Sequence, residues 1–475
     1  MKRVYIIAIM ATLFLSTTTM AFTTRTPTKM HTDFDPLVDI SVTVEIQKIR
    51  YLAINELQTF PKNKGNNTPN FYVKIIINDV EFTSPIWNDT KYIMDPNWNA
   101  TLNVPDDVEN VTVTIQLWSH ETEDILYDLS GDIDTYAVSF IYSIKTGYWT
   151  GDDFRGDPSG YGRFCGCDDG SIYSNDRDCE LWFDITQNDY DGDHIPYWIE
   201  VNTLGTDPTV DDTIFDQDND SVPTYWEYRW GYQPLVWNDH GTIDPDNDSI
   251  NNIEEYLTSQ WFSDPYRKDV FVEMDLMGDG PNGEKTYFPA YSQELILTAF
   301  DKQNIVFHLD AGALGGGGET VPFNATLDRQ NLEDIFQNYF LHGDVNNWRG
   351  GVFHYGLVIY NADIAGYTFQ PDAFQISSYM LEAKKNNPVL DRNIMYASCY
   401  IHELGHTFGF WPIPGHNRFC AYPWQLGWWW VHSYRSCMNY GWTYLIVDYS
   451  DGSRRYPDRN DWNRIDYSYF ENEWG

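Results

Sequence analysis

Hydrophobic and polar residues alternate with a period of two in the N-terminal third of the chain. Runs rich in β-branched residues at positions 38–49, 72–77 and 111–118 are separated by clusters of Pro, Asn and Asp. This alternation between turn-forming clusters is typical of short strands that bury one face. We predict an all-β sandwich domain over residues 22–185, closed by a Cys-containing extension.

The pattern changes twice further along the chain. Residues 186–266 are dominated by carboxylates, and from residue 267 to residue 475 apolar runs of strand type and helix type are mixed. Such mixing predicts an α/β (α+β) domain. Its predicted elements include a strand at 269–277, a helix at 292–302, and strands at 305–309 and 353–360.

Three stretches of the predicted sandwich, FYVKIIIND, PNWNATLNVPDD and VTVTIQLWSHE, resemble calcium- and lipid-binding sandwich modules that accompany some secreted proteases. The resemblance implies a targeting or adhesive module. A purely structural sandwich, or a propeptide, is the alternative, because a fold of this kind does not specify a function.

The acidic segment is periodic. Residues 186–270 contain 19 acidic and three basic residues, and the acids recur in one register. DYDGDHIPYWIE, DQDNDSVPTYWE and DPDNDSINNIEE start at Asp189, Asp216 and Asp244, and each has carboxylates at positions 1, 3, 5 and 12. An unselected acidic linker would not repeat this register, so we interpret the segment as three internal repeats.

Calcium explains the spacing. This hard cation takes six to eight oxygen ligands, and a tight loop can supply alternate carboxylates, a backbone carbonyl at position 7 and a bidentate Glu at position 12. We predict about three structural calcium ions. The predicted ligands are Asp189, Asp191, Asp193, Ile195 and Glu200 in the first loop, Asp216, Asp218, Asp220, Val222 and Glu227 in the second, and Asp244, Asp246, Asp248, Ile250 and Glu255 in the third.

These repeats resemble thrombospondin type 3 repeats, which implies a calcium-ordered spacer without long flanking helices. Asn or Ser stands in the second and third loops where the family usually has Gly. We expect this change to weaken calcium binding in those loops without abolishing it.

The chemistry-bearing motif is HELGH at residues 402–406. His402 and His406 are four residues apart, so on a helix they lie one turn apart on the same face and can bind one zinc ion. Glu403 lies beside them, placed to act as the general base toward a water molecule. The three side chains predict a hydrolytic zinc site.

HELGHTFG together with SCMNY resembles the metzincin metalloproteases. By position, the resemblance implies that Gly409 turns the chain sharply, that Met438 forms the Met-turn beneath the metal, and that Tyr440 stabilises the transition state. The match covers roughly residues 268–475. The family's third His would stand at position 412, where this chain has Pro412.

We therefore expect the third zinc ligand at a different position in the sequence. His416 follows four residues later, after PIPG, and a loop insertion of this size costs little closure entropy. We predict His402, His406 and His416 as the zinc ligands. Cys420, His432 and Asp448 are the alternatives to His416.

Charge excludes several partners. The 475-residue chain has a formal net charge of −40, so phosphate backbones repel it and nucleic-acid binding is not expected. Residues 1–21 have a basic start, an apolar run and small residues before Ala21, which predicts an export signal cleaved after Ala21 and a secreted protein. The apolar run is too short to span a bilayer, and no integral membrane segment is expected.

Six cysteines suit an oxidising destination, and Cys399 and Cys437 lie close in sequence to the predicted zinc site. We expect a disulfide there, with a free thiol near the metal as the alternative. The aromatic segment 422–430 predicts a buried cluster, with a lining of the substrate cleft as the alternative.

Two functions follow from these features. The first is a secreted zinc metalloendopeptidase that acts on protein or peptide substrates and is stabilised by calcium. The alternative is a non-catalytic calcium-binding surface or adhesion protein with a degenerate protease domain. The intact Glu403 favours the enzyme.

Overall fold

The computed structural model describes residues 40–52, 57–59, 68–105, 108–152, 162–173 and 177–471. The predicted export signal, residues 1–21, lies outside the described residues. The bounds of the N-terminal strands are β1 (Ser41–Tyr51), β2 (Phe71–Ile77), β3 (Val80–Thr83), β4 (Tyr92–Asn103), β5 (Asn110–Ser119), β6 (Ile125–Tyr127), β7 (Val138–Ser143), β8 (Trp149–Gly151), β9 (Gly162–Cys165) and β10 (Cys179–Thr186).

These strands form two antiparallel sheets. One has the order β4-β1-β10-β9, and the other has the order β3-β2-β5-β7-β8 with β6 also paired to β5. Val42, Val44 and Ile46 of β1 and Val111, Val113 and Ile115 of β5 are all buried, and they belong to one hydrophobic cluster that both sheets share. The period-two alternation arises because each strand turns every second side chain into this common core.

The acidic repeats form three loops, each followed by a short helix. The helices are α1 (Tyr197–Ile199), which continues as a π-helix over Glu200–Leu204, α2 (Thr224–Arg229) and α3 (Asn252–Thr258). Each helix begins at loop position 9 and brings the Glu at position 12 back toward the loop, in agreement with the pattern expected for calcium loops.

The C-terminal region is a mixed sheet with helices on both faces. Its strands are β11 (Asp269–Met277), β12 (Val306–Asp310), β13 (Thr320–Val321), β14 (Phe353–Ile359), β15 (Gly366–Gln370) and β16 (Ala373–Ser377). Its helices are α4 (Ala290–Asp301), α5 (Arg329–Ile335), α6 (Ser378–Glu382), α7 (Arg392–Thr407) and α8 (Leu426–Val431). The predicted elements at 269–277, 292–302, 305–309 and 353–360 are confirmed within one or two residues at each end.

The sheet order is β12-β11-β14-β16-β15, with β13 also paired to β11. The strands run parallel except β15, which is antiparallel to β16 and forms one edge of the sheet among the described residues. Val272 and Met274 pack with α4 and α7 on one face, while Phe271 and Tyr355 belong to a separate cluster on the other face. Helix α7 therefore packs on one face of the sheet, and the edge strand β15 lies beside this helix.

The predicted N-terminal domain is not self-contained. Residues 57–59 leave it and join the C-terminal core, where Leu57 is buried and the backbone N–H of Val447 donates to Leu57 O at 2.7 Å. Buried Arg50 pairs with Asp301 of α4 at 2.6 Å. Because removing one partner of a buried ion pair leaves an uncompensated charge, these contacts couple the stability of the two regions.

Among the described residues, no helix combines the length and the apolar character needed to cross a bilayer.

Candidate metal centres

Helix α7 carries three of the predicted site residues on one buried turn. The Asp391 side chain caps it by accepting from Asn393 N at 2.9 Å. His402, Glu403 and His406 are 3%, 7% and 8% exposed. A polar turn in an otherwise apolar buried helix needs a ligand or partner to offset the desolvation of its side chains.

The predicted third ligand meets the first two. His416 Nε2 lies 3.2 Å from His402 Nε2 and 3.2 Å from His406 Nε2. Three imidazole nitrogens at this spacing can surround one ion, and they form one group of metal-ligating atoms. The geometry brings together the residues that sequence spacing predicted, across the insertion at Pro412.

The electrostatics keep these imidazoles neutral. Burial, with a neighbouring His as the next cause, lowers the pKa of His402 to about 3 and that of His406 to about 2. Burial also lowers the pKa of His416 to about 4. His402 Nδ1–H donates to Cys437 O at 2.8 Å, which leaves its Nε2 lone pair directed at the cluster. Neutral, oriented imidazoles suit zinc.

The alternatives to His416 lie outside this group. Asp448 accepts a hydrogen bond from Trp462 Nε1 at 3.1 Å, and the His432 ring stacks on Trp428. Cys420 is buried and contributes no atom to the group. His416 is the residue that completes the triad.

Gly409 makes the turn that the motif predicts. Its φ is +74°, in the left-handed region that Gly adopts without a steric penalty. A Cβ at this position would also approach the Tyr469 ring to 2.7 Å. The chain therefore changes direction sharply after α7, and the loop that follows brings His416 back to the two histidines of this helix.

Glu403 lies beside the triad without a cationic partner among the contacts of its side chain. Thr368 of β15 donates to Glu403 Oε2 at 3.3 Å and to Glu403 O at 3.1 Å. Burial raises the pKa of Glu403 to about 8, partly offset by the Thr368 hydrogen bond. A nearby cation would favour the ionised form, which is the form that accepts a proton.

Met438 and Tyr440 both lie close to the imidazole triad. Met438 is fully buried, and its Sδ lies only 2.5 Å from where a Cβ on Gly405 would stand, so it packs directly under the helix between the two ligands. The Tyr440 ring lies 4.3 Å from the His416 ring, between centroids, and burial raises the pKa of its hydroxyl. That hydroxyl remains protonated near neutral pH and can donate a hydrogen bond.

The aromatic segment is not a core. No residue of α8 is buried, and Trp424, Leu426 and Trp430 are 78%, 84% and 78% exposed. The prediction of a buried cluster is wrong because only one side of the helix faces the protein, where Trp428 packs near Gly441 and His432 and Val431 packs near Gly415, and both side chains remain half-buried. Between Glu403 and Asp448 the chain also has no acidic residue. An apolar, acid-free surface thus flanks the triad.

We expect His416→Ala to reduce bound zinc from about one ion per chain to a small fraction of that value. Two nitrogen ligands remain in this variant, and zinc sites in proteins use at least three. Metal analysis of the purified full chain checks this. His432→Ala is the matched control and should retain zinc; undiminished zinc in His416→Ala would contradict the assignment of the third ligand.

The acidic loops have the internal bonding of cation-binding loops. The Asp at position 1 accepts two backbone N–H groups, for example Asp189 from Gly192 N at 2.8 Å and from His194 N at 2.9 Å. The Asp at position 5 accepts from the N–H of position 7, as Asp193 does from Ile195 at 2.8 Å. These bonds hold the loop so that the remaining carboxylate oxygens converge.

Several converging oxygens are buried without a hydrogen-bond partner. They include both carboxylate oxygens of Asp191, Asp218 and Glu227 and one oxygen each of Glu200, Asp246 and Glu255. Desolvation is the largest cause that raises the pKa of Asp246 to about 10, and repulsion by the neighbouring carboxylates is the next. Desolvation is also the largest cause that raises the pKa of Glu200 to about 8. Buried oxygens that face each other without donors fit a divalent cation at each loop.

Asn substitutes for Gly without distorting the loops. At position 4 the φ of Gly192 is +83°, while Asn219 and Asn247 have φ of +61° and +60°. Asn adopts the left-handed region more readily than other residues that carry a Cβ. The backbone thus retains the same course in all three loops.

Sequence reasoning missed an additional carboxylate at two loops. At the first loop, Asp212 forms one group of potential metal ligands with Asp193 and Glu200. Asp269 donates its backbone N–H to Asp248 Oδ2 at 2.7 Å at the third loop, which connects that loop to β11. Both aspartates lie outside the twelve-residue loops. Each follows the Asp at loop position 5 by about 20 residues, and this shared spacing is the signal in the sequence that could have suggested them.

All six cysteines are buried free thiols. The disulfide that we expected between Cys399 and Cys437 is therefore not formed. Neither thiol belongs to the triad group, and burial raises the pKa of both thiols well above the ordinary value. A neutral, buried thiol is a poor metal ligand, so the free-thiol alternative does not apply to the zinc site either.

Comparisons with known proteins identify no family. No family model and no curated protein matches the chain. Among solved structures, a C2 domain matches with 10% identity, covering 31% of this chain and 98% of its own length, at a TM-score of 0.19. Human GIVD cytosolic phospholipase A2 matches with 14% identity and a TM-score of 0.19, covering 31% of this chain and 16% of its own. A pair of C2 domains from Extended-Synaptotagmin 2 matches with 8% identity and a TM-score of 0.20, covering 35% of this chain and 48% of its own. Scores this low carry no argument about fold or function.

Proposed function

We propose that the protein is a secreted zinc-dependent endopeptidase whose fold is stabilised by calcium. The observation that carries the proposal is the convergence of His402, His406 and His416 within 3.2 Å beside buried Glu403. A triad of neutral imidazoles next to a carboxylate with no cationic side-chain partner is the donor set of hydrolytic zinc sites.

Zinc held by the three imidazoles would supply Lewis-acid polarisation of the scissile carbonyl and would acidify the attacking water. Glu403 then accepts the proton from that water and delivers it to the leaving amine. Thr368 orients this carboxylate through its hydrogen bond to Oε2. Tyr440, whose ring lies beside His416, would donate to the oxyanion that develops on the carbonyl.

The position of β15 supports an extended polypeptide substrate. β15 pairs only with β16 among the described residues, and it lies beside α7, where Gly366 approaches Glu403 so closely that a Cβ would be 2.2 Å from Oε1. An edge strand has unpaired backbone groups with which an extended peptide can pair. A peptide added to this edge would pass directly over Glu403.

The surface near the triad supports a preference for apolar substrate residues. Trp411 stacks on His406 with 5.2 Å between ring centroids and is 53% exposed, and α8 adds further exposed aromatic rings. Large exposed apolar surfaces usually mark binding sites. The alternative function, a non-catalytic adhesion protein, would not require the imidazole triad, Glu403 and the edge strand to converge.

Zinc-dependent cleavage of an unfolded protein substrate tests the proposed function. The full chain, saturated with calcium and carrying one zinc per chain, should hydrolyse internal peptide bonds. Removal of zinc should abolish hydrolysis, and added zinc should restore it, because the residues of the site alone supply no Lewis acid. No hydrolysis by the zinc-loaded chain, or equal hydrolysis by the zinc-free chain, would exclude the proposal.

A further inference from the structure

A histidine lies inside the second acidic loop. His240 is 0% exposed, and its Nε2 lies 3.2 Å from Asp220 Oδ2 and 3.5 Å from Glu227 Oε1. By distance and angle neither contact is a hydrogen bond, and among the described residues this buried Nε2 has no hydrogen-bond partner of good geometry. Asp220, Glu227 and His240 together form one group of potential metal ligands.

This histidine distinguishes the second loop from the other two. In the first and third loops, the position-5 Asp accepts from the backbone N–H of a further aspartate, which is Asp212 or Asp269. In the second loop, Asp220 accepts instead from Asn238 N at 3.1 Å, and Asn238 has no carboxylate. The side chain that faces Asp220 and Glu227 is the imidazole of His240, two residues later. One oxygen donor is thus replaced by nitrogen.

The spacing of these atoms matches that of the zinc triad in the same chain. In the triad, His416 Nε2 lies 3.2 Å from each of the other two nitrogens, and His240 Nε2 is 3.2 Å from its nearest carboxylate oxygen. Asp216 and Asp218 form a second group that shares Asp220. Carboxylate and imidazole atoms at this spacing can surround one ion.

The opposite edge of the imidazole has a suitable partner. His240 Nδ1 lies 2.9 Å from the Asn252 side-chain amide, whose other end lies 3.3 Å from the Tyr232 hydroxyl. In the structure, Asn252 Nδ2 faces the ring and Asn252 Oδ1 accepts from the Tyr232 hydroxyl. Metal binding at Nε2 moves the ring proton to Nδ1 and requires the amide to turn end for end, so that Oδ1 accepts from Nδ1–H and Nδ2 donates to the Tyr232 hydroxyl. This arrangement leaves the lone pair on Nε2 for a metal.

We propose that the second loop is a transition-metal site that prefers an ion such as Mn²⁺ to Ca²⁺, with Asp216, Asp218, Asp220, Glu227 and His240 as its ligands. Calcium takes oxygen ligands, whereas ions of the first transition row accept imidazole nitrogen together with carboxylates. The first and third loops retain only oxygen donors and remain calcium sites. The proposal does not depend on proteolytic activity.

Electron paramagnetic resonance of bound Mn²⁺ tests this directly. The full chain is first loaded with one zinc per chain, so that the three-histidine triad is occupied and no free zinc competes for the second loop, and is then titrated with Mn²⁺ in excess Ca²⁺. The wild type should retain one Mn²⁺ per chain, with nitrogen hyperfine coupling from the imidazole. His240→Gln should lose this coupling and bind Mn²⁺ at least ~10-fold more weakly, because loss of a ligand costs no less than loss of an outer-shell partner.

Two further variants sharpen the result. His240→Asp restores the all-oxygen set of the other loops, and it should shift the preference of this site toward Ca²⁺. His120→Gln removes an exposed histidine of the β region and should change nothing. If wild-type Mn²⁺ shows no nitrogen coupling, or if Ca²⁺ displaces it as readily as in His240→Asp, then His240 merely packs against the loop and the proposal is wrong. The wild-type spectrum decides this even where a variant fails to fold.

Discussion

Replacing Glu403 by Gln is expected to reduce peptide hydrolysis by about 10³-fold while zinc remains bound. Gln keeps the size of the side chain and can still accept the hydrogen bond from Thr368, but it cannot accept the proton of the attacking water. General-base catalysis typically contributes 10² to 10⁴-fold to the rate. The measurement is the initial rate of cleavage of an unfolded substrate together with the zinc content of each preparation.

The control for this experiment is Glu333→Gln on α5, which removes a partly exposed carboxylate paired with Arg329. It should cleave at the wild-type rate. The pH profile provides a second test. Because a dication at the triad stabilises the Glu403 carboxylate, the acid limb of the wild-type profile should lie below the pKa of about 8 that burial alone produces. Unreduced cleavage by Glu403→Gln would remove Glu403 from the mechanism.

Removal of calcium, with zinc retained, is expected to destabilise the protein more at pH 8 than at pH 5. Burial raises the folded-state pKa of Asp191 to about 6 and that of Glu200 to about 8, both in the first loop. In the unfolded chain these groups ionise near pH 4. Between pH 4 and pH 8 the folded, calcium-free state therefore holds more protons than the unfolded state, and its stability falls as the pH rises.

Thermal unfolding at the two pH values, with and without calcium, measures this effect. Calcium should raise the Tm most at pH 8, where it replaces the missing protons as the counter-charge. Glu255→Gln neutralises a fully buried carboxylate of the third loop, so it should raise the Tm of the calcium-free protein at pH 8 and lower that of the calcium-loaded protein. Limited proteolysis of the calcium-free chain should produce new cleavage within residues 189–262. An unchanged Tm and cleavage pattern on chelation would contradict structural calcium.

The third loop contacts the C-terminal region directly, so loss of its cation is expected to destabilise that region too. Lys268, directly before β11, donates to Asp246 O at 2.6 Å, and Asp269 N donates to Asp248 Oδ2 at 2.7 Å. Loss of the cation at this loop would leave like charges at the start of the strand on which the C-terminal sheet is built. We therefore expect the loops to stabilise the C-terminal region as well as to separate it from the β region.

Short-range spacing was sufficient to predict much of the site. His402 and His406 share a helix face because they are four residues apart, and this relation holds wherever the helix packs. The spacing of the carboxylates within each twelve-residue loop is equally local, since the backbone turns at positions 4 and 6 set the direction of every carboxylate. The strand at 269–277 followed from a short run rich in apolar residues, DVFVEMDLM, which is typical of a strand buried on both faces.

The sequence by itself determined the local ligand sets, because each depends on residues within about a dozen positions of one another. Only the tertiary structure decided which distant groups join them. It brought Thr368 and Gly366 against Glu403, placed Leu57 in the C-terminal core, supplied Asp212 and Asp269 to the first and third loops, and set His240 against the second. It also left Trp429 and Trp430 of α8 exposed, where composition predicted burial. These contacts join chain segments brought together by packing of the whole fold, and no spacing rule along the chain encodes them.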